Sequence, residues 1–249
     1  MTKLGRILAE GKTKVVHAHP FHGDQSYLLH KDNLSAGDGA RRNVLKGKGT
    51  LACRTTSNVF SLLERRGIAN HFVSMVSEDI TLVRRCRMIP LEVVMRRIAT
   101  GSYLRRHPDT QEGARFDPVL VEFFLKDDAN HDPFITPDEI AAAGVATPDE
   151  VDEMAATGRR VFAALEEAWA KQDVVLVDCK IEYGRDRRDS LLVADVIDND
   201  SWRLWPGGDK ARMLDKQVYR DMPEVTDEGL GRLLDRYEEV ARRTDPWRS

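Results

Sequence analysis

Cysteine is scarce in this chain: Cys53, Cys86 and Cys179 are the three present among 249 residues. They are too few and too widely separated for a disulfide framework or a thiolate zinc site, so reduced thiols and a cytoplasmic setting are expected. Long apolar runs are missing as well. No window approaches the roughly 20 apolar residues that cross a bilayer, and Met1-Thr2-Lys3-Leu4-Gly5-Arg6 is not followed by the apolar stretch of a secretory signal, so no membrane partner is expected. Positive charge is not in excess. With 38 Lys and Arg against 41 Asp and Glu the formal charge is -3, which argues against nucleic acid despite the local cluster Arg84-Arg85-Cys86-Arg87. The G-x-x-x-x-G-K-[ST] phosphate loop, internal repeats and low-complexity linkers are also absent.

The length suffices for one large or two small lobes with a sizeable core. The first half reads as strand-rich, with candidates at 14–18, 26–29, 72–76, 81–85 and 91–98, and a helix over 51–63 closed by Gly67. The polar stretch from Phe116 to Pro137 is the best boundary, dividing a lobe 1–118 from a lobe 119–249. Beyond it, Thr136-Pro137-Asp138-Glu139 and Thr147-Pro148-Asp149-Glu150 are both capping-box starts with proline at the first helical position. Val151, Met154, Val161, Phe162, Leu165 and Trp169 continue the second at helical spacing, and Leu230, Leu233, Leu234, Tyr237 and Val240 mark a last amphipathic helix. The expected architecture is α+β.

The most informative segment is Val174-Val175-Leu176-Val177-Asp178-Cys179-Lys180-Ile181-Glu182-Tyr183-Gly184. Side chains of a strand alternate between faces, so Asp178, Lys180 and Glu182 project together while Cys179, Ile181 and Tyr183 point the other way. Two carboxylates flanking an ammonium suit an ATP and metal site; they equally suit a solvated strand edge, and spacing does not choose. After the polar turn 185–190, Leu191 to Asp198 reads as a hairpin partner that brings Asp195 near Glu182. Asp198, Asn199 and Asp200 also read as a turn cluster. Arg203 lies between Trp202 and Trp205, a core-edge stack or a bidentate phosphate contact. His17, His19 and His22 lack a fourth converging group and read as surface residues near a turn.

Two stretches, Met88 to Ser102 (MIPLEVVMRRIATGS) and Val177 to Gly184, resemble the signature motifs of the SAICAR synthetase family. Glu10-Gly11-Lys12-Thr13-Lys14, Ser35 to Arg41, Lys126 to Pro133 and Leu214 to Asp221 fit it too, in the family's order, so the likeness runs nearly end to end. Departures are Val196, where an acid often follows the position of Asp195, and Tyr183, where Phe is common. The run from Ala194 to Pro206 resembles the animal bifunctional enzyme, yet a chain ending at Ser249 leaves no room for a fused carboxylase domain.

The resemblance implies a two-lobed fold with a kinase-like, strand-rich N-terminal ATP lobe and a mixed α/β C-terminal lobe. It implies a ligase that uses ATP and Mg²⁺ to join L-aspartate to the carboxylate of carboxyaminoimidazole ribotide. Lys12, Lys14, Lys126 and the connector at Arg87 and Met88 are then expected at ATP, and Glu182 with Asp195 at the metal. Arg96, Ser102 and Arg203 are expected at the ribotide phosphate, and Arg97, on the opposite strand face, in a structural role. Asp38 and Arg41 are expected near aspartate or the imidazole carboxylate, Lys216 on the second-substrate side, and Lys180 with Asp178 at the reacting carboxylate. The partners are small molecules, and a homo-oligomer is left open.

Overall fold

The computed structural model describes residues 2–36 and 41–248. In chain order the first half forms β1 (Ile7–Glu10), β2 (Lys14–Ala18), β3 (Gln25–His30), the hairpin β4 (Asn33–Ala36) and β5 (Arg41–Val44), α1 (Lys48–Arg65), β6 (Phe72–Ser77) and β7 (Ile80–Arg84). Then follow β8 (Arg87–Ile98), α2 (Ser102–Arg106), β9 (Arg115–Leu125), β10 (Phe134–Ile135), α3 (Pro137–Ala142) and α4 (Pro148–Ala170). The chain ends with β11 (Val174–Arg185), β12 (Leu191–Ala194), β13 (Trp202–Pro206), α5 (Gln217–Arg220) and α6 (Asp227–Thr244). No helix among the described residues is long and apolar enough to cross a membrane.

Besides the two-stranded β4–β5 hairpin, two larger antiparallel sheets form among the described residues. The first runs β1-β2-β3-β7-β6; the second runs β10-β9-β8-β11-β12, with β13 also on β11. β12 and β13 share one edge of β11, taking its Glu182 to Arg185 and its Val174 to Cys179 portions respectively. The expected boundary at 118/119 falls inside β9, which pairs with β8 from Leu91 to Ile98. Its polar residues Asp117 and Glu122 masked a strand whose Val119, Phe123 and Phe124 are buried. The five-stranded sheet instead closes at Arg84, and β8 opens the second sheet at Arg87.

The core lies on the face of β8 and β11 turned away from the polar comb. Met95, Cys179, Ile181 and Tyr183 pack there against Met154, Val161, Phe162 and Leu165 of α4. Gly158 permits this approach, because a Cβ there would lie 3.0 Å from Met95 Sδ. Burying each of these large apolar side chains is worth about 1.5–3 kcal/mol, so this face orients the whole sheet. The Tyr183 hydroxyl donates to the Met154 carbonyl at 2.9 Å, which satisfies the one polar atom the side chain carries inward. A smaller cluster of Leu34, Leu45, Tyr219, Leu233 and Tyr237 joins the β4–β5 hairpin to α5 and α6.

Both expected capping boxes form. Thr147 accepts the Glu150 N–H at 3.2 Å and Glu150 accepts the Thr147 N–H at 2.8 Å. Glu150 also takes Arg185 in two bonds, at 2.5 and 2.7 Å, tying the start of α4 to the end of β11. The Arg185 bond, with the cap, holds the Glu150 carboxyl down at about 2 against the effect of burial. A depressed carboxyl contributes stability that is present above its ordinary titration range and lost as pH falls through its folded value. Glu150→Gln is therefore expected to cost about 1–2 kcal/mol at neutral pH in urea unfolding. The gap to the parent protein should close between pH 4.5 and about 2, the ordinary and folded values.

Candidate active site

The comb of β11 opens into a cleft of about 620 Å³ between the two sheets. Because β11 alternates, Asp178, Lys180 and Glu182 all face this cleft while Cys179, Ile181 and Tyr183 are buried behind it. β8 adds Glu92 and Arg96 from the neighbouring strand, with Asp178 opposite Arg96 and Glu182 opposite Glu92. The wall facing them comes from Gly11 to Lys14, where Lys12 and Lys14 both line the cleft.

At one end sits a guanidinium cluster. Arg96, which is 3% exposed, donates to Glu122 at 2.6 Å, to Asp178 at 3.0 Å and to the Ser102 hydroxyl at 3.2 Å. Arg203 donates to the same Asp178 oxygen, and Arg106 to the other oxygen of Glu122. Three guanidiniums thus share two buried carboxylates, leaving one positive charge in excess beside Ser102. Arg203 also lies against Gly101, where a Cβ would come 2.5 Å from a guanidinium nitrogen and where φ is +59°. Glycine meets both demands, a positive φ and a close approach.

At the other end sit ammonium groups and carboxylates. Lys126 contacts Glu182 at 2.6 Å, Lys14 contacts Asp195 at 2.6 Å, and Lys180 lies 2.5 Å from Glu92 and 3.6 Å from Glu182. Burial and the Asp195 charge raise the Glu182 carboxyl, against the pull of Lys180, Lys126 and Lys14. Burial would also raise Asp195, yet Lys14 holds it down at about 2. Burial opposes the charged form of Lys180, but Glu92 and Glu182 outweigh it and keep the ammonium protonated. Asp195 leaves β12 with φ +62°, a left-handed conformation that aspartate tolerates better than most side chains. His71 accepts no charge in its buried position, where desolvation lowers it to about 4, and its Nε2 lies 2.9 Å from the Asp195 carbonyl.

Farther along the same wall, Asp200 binds two lysines at 3.2 Å each, Lys48 from the start of α1 and Lys216 before α5. Tyr237 of α6 donates its hydroxyl to Asp200 at 3.0 Å. Lys48 is 1% exposed, and burial disfavours its charge, but Asp200 and Asp198 hold it protonated. Lys216 is lowered, chiefly by burial and then by Arg220 and Lys48, although Asp200 opposes this.

Most of the expected site residues therefore converge: Lys12, Lys14, Met88, Lys126, Asp178, Lys180, Glu182, Asp195, Arg96, Ser102, Arg203 and Lys216 line one cleft. Two do not. Arg87 precedes Met88, which faces the cleft, so alternation turns the Arg87 side chain outward to an exposed pair with Asp189 at 3.0 Å. Arg41 is turned to the Tyr219 and Met222 carbonyls, at 2.9 and 2.8 Å, where it clasps the β4–β5 hairpin to the C-terminal helices. Asp38 lies outside the described residues. Arg97 holds Glu166 of α4 on the core side, as alternation requires. His19 accepts the N–H groups of Phe21 and His22 in a turn. Among the described residues no group of three or more His, Cys, Asp or Glu is placed to hold a metal. Sequence reasoning missed Glu92, Glu122, Lys48 and Asp200 as members of the site. Glu92 shares a strand face with Arg96 and was open to detection by alternation; the others arrive from distant segments.

The chain matches the SAICAR synthetase family model over residues 7–237. It is 65% identical over 244 residues to a phosphoribosylaminoimidazole-succinocarboxamide synthase of Roseiflexus sp. (strain RS-1), covering 98% of each. The solved phosphoribosylaminoimidazole-succinocarboxamide synthase of Ehrlichia chaffeensis is similar with a TM-score of 0.87 and 28% identity, over 96% of this chain and 98% of that one. A SAICAR synthetase in complex with ADP is similar at TM-score 0.86 and 32% identity, over 96% and 97%. These likenesses establish that the chain belongs to the SAICAR synthetase family, the enzymes that use ATP to join L-aspartate to the carboxylate of carboxyaminoimidazole ribotide in purine biosynthesis.

Proposed function

We propose that the two ends of the cleft hold the two phosphorylated substrates, with the β11 comb between them carrying the transfer. The observation that carries this reading is the division of cationic groups: guanidiniums gather at Arg96 and Arg203, ammonium groups at Lys14, Lys126 and Lys180. The planar fork of Arg suits a terminal phosphate monoester, so the ribotide 5'-phosphate binds Arg96, Arg203 and Ser102. Asp178 and Glu122 position those guanidiniums by occupying their remaining donors. Lys12, Lys14 and Lys126 neutralise the ATP phosphates, and the backbone at Arg87 and Met88 borders the adenine.

Glu182 and Asp195 fit a divalent cation. They are oxygen donors from adjacent strands, and each bears on the other's charge at the cleft wall. Mg²⁺ bound there supplies neutralisation of charge on the transferring phosphoryl group. Lys14 and Lys126, which pair with these carboxylates, turn to phosphate oxygens when ATP binds. Lys180, kept protonated by Glu92 and Glu182, orients the ribotide carboxylate toward the γ-phosphate. A carboxylate is a poor electrophile; its oxygen attacks phosphorus, ADP leaves, and the acyl phosphate then reacts with the aspartate amine. Positioning and charge neutralisation account for the catalysis. Lys216 serves the aspartate side. Arg41 acts through the β4–β5 hairpin, which it clasps to the C-terminal helices.

Arg203→Lys keeps the charge but loses the fork, so the ribotide KM should rise about 10–100-fold with the ATP KM nearly constant. Equal rises in both would mean that Arg203 shapes the sheet edge only. Glu182→Gln should leave the fold intact and cut turnover about 100-fold or more, while ADP binding measured by calorimetry loses its dependence on Mg²⁺. Retained Mg²⁺ dependence would remove Glu182 from the metal. For the route itself, ribotide labelled with ¹⁸O in its carboxylate should pass one labelled oxygen to inorganic phosphate for each product formed. Label-free phosphate would reject the acyl phosphate.

A further inference from the structure

L-Aspartate arrives with its α-amine protonated, and an ammonium has no lone pair with which to attack carbon. A group in the cleft must take that proton. Among the described carboxylates of the wall, nearly all are already held by cations: Asp178 by Arg96 and Arg203, Glu92 and Glu182 by Lys180, Glu182 also by Lys126, Asp195 by Lys14, Asp200 by Lys48 and Lys216, and Glu10 by Lys31. Asp132 takes the N–H of Asp127 within its own half-buried loop. Asp198 differs from the paired carboxylates in lacking a cation, and from Asp132 in being buried. It lines the cleft at 5% exposure, yet no cationic side chain lies within ion-pair distance of it among the described residues.

The local structure fixes Asp198 without neutralising it. One carboxylate oxygen accepts the Asp200 N–H at 2.8 Å, its own N–H donates to the Ser201 hydroxyl at 3.2 Å, and its carbonyl accepts the Ser201 N–H at 2.9 Å. The second carboxylate oxygen is left for the cleft. A buried carboxylate without a cation is costly unless a ligand brings positive charge, and with the divalent ion assigned to Glu182 and Asp195 the aspartate ammonium is the remaining cation the reaction supplies. We propose that Asp198 is the proton acceptor for the α-ammonium of L-aspartate, a catalytic residue of the second half-reaction.

The charged groups that bear on Asp198 are Asp200 in the same turn, Lys48 from α1 and Lys14 from β2. Burial and then Asp200 raise its carboxyl, which makes it a better base than an ordinary aspartate while the two lysines limit the rise. Asp198 takes one proton from nitrogen, freeing the pair that forms the C–N bond to the acyl carbon. The C–O bond to phosphate then breaks with its electron pair, and the second nitrogen proton goes to the departing phosphate. Asp198 returns its proton to water.

The inference rests on the acyl-phosphate route, and the test separates the two. Asp198→Asn keeps an oxygen for the Asp200 N–H, and so keeps the turn, but cannot accept a proton. Steady-state rates are measured with aspartate and with hydroxylamine, an amine already neutral near physiological pH that traps acyl phosphates as hydroxamates. Expected for the variant is a fall of about 100-fold or more in kcat with aspartate, ATP and ribotide KM values near those of the parent, and parental hydroxamate formation. Its aspartate rate should climb about tenfold per pH unit as the free amine grows, and Asp198→Glu should restore part of the rate at neutral pH. Equal losses with both nucleophiles would assign Asp198 to the turn alone and overturn the proposal, as would parental turnover with aspartate. Absence of hydroxamate from the parent enzyme would instead reject the acyl phosphate, and the proposal with it.

Discussion

The pairing of buried charge between β8 and β11 is the constraint on which the rest of the site depends. An isolated carboxylate taken out of water costs several kcal/mol, and a partner repays this only at good geometry. The register sets Asp178 opposite Arg96 and brings Glu92 opposite Glu182, with Lys180 paired to both of these carboxylates and Lys126, after β9, adding a second cation at Glu182. A slip of one residue would turn Asp178, Lys180 and Glu182 into the α4 core and Cys179, Ile181 and Tyr183 into the cleft. The apolar face and the charged face therefore enforce the same register. Stability and function lean on one pairing.

The remainder of the cleft is brought to that strand pair by elements with their own anchors. Arg185 and Glu150 hold α4 to the end of β11, and Asn70, His71 and Val193 link the start of β6 to β12 just before Asp195. Asp200 gathers α1, α5 and α6 by way of Lys48, Lys216 and Tyr237. Arg41 does the same for the β4–β5 hairpin through backbone carbonyls.

Charge is distributed unevenly within this frame. The guanidinium end carries an excess of one positive charge over its carboxylates, and the lysine end carries ammonium groups paired with Glu182 and Asp195. Asp198 stands apart as a buried acid without a cation, next to the turn that ends at Ser201. The three cysteines take no part in this arrangement. Burial raises the thiols of Cys53 and Cys86, to about 12 and about 11, which leaves them protonated and unreactive.

Local pattern determined the elements whose periodicity is undisturbed. The comb of β11, its hairpin with β12, both capping boxes, and the helices α1 and α6 were legible because strand alternation, proline placement and helical spacing are properties of adjacent residues. The motif order made the family legible before any coordinates. The strand β9 was not, because Asp117, Pro118 and Glu122 interrupt its apolar pattern and only its burial between β8 and β10 explains them. Likewise Arg41 and Arg87 were expected at the cleft from the family resemblance, and the fold turns both side chains elsewhere. Glu122, Lys48 and Asp200 joined the site through contacts spanning many residues of sequence, for which no local signal exists. Sequence alone settled which residues alternate and where helices begin; tertiary structure decided which charges meet, because a buried charge is governed by its nearest partner in space rather than by its neighbour in the chain.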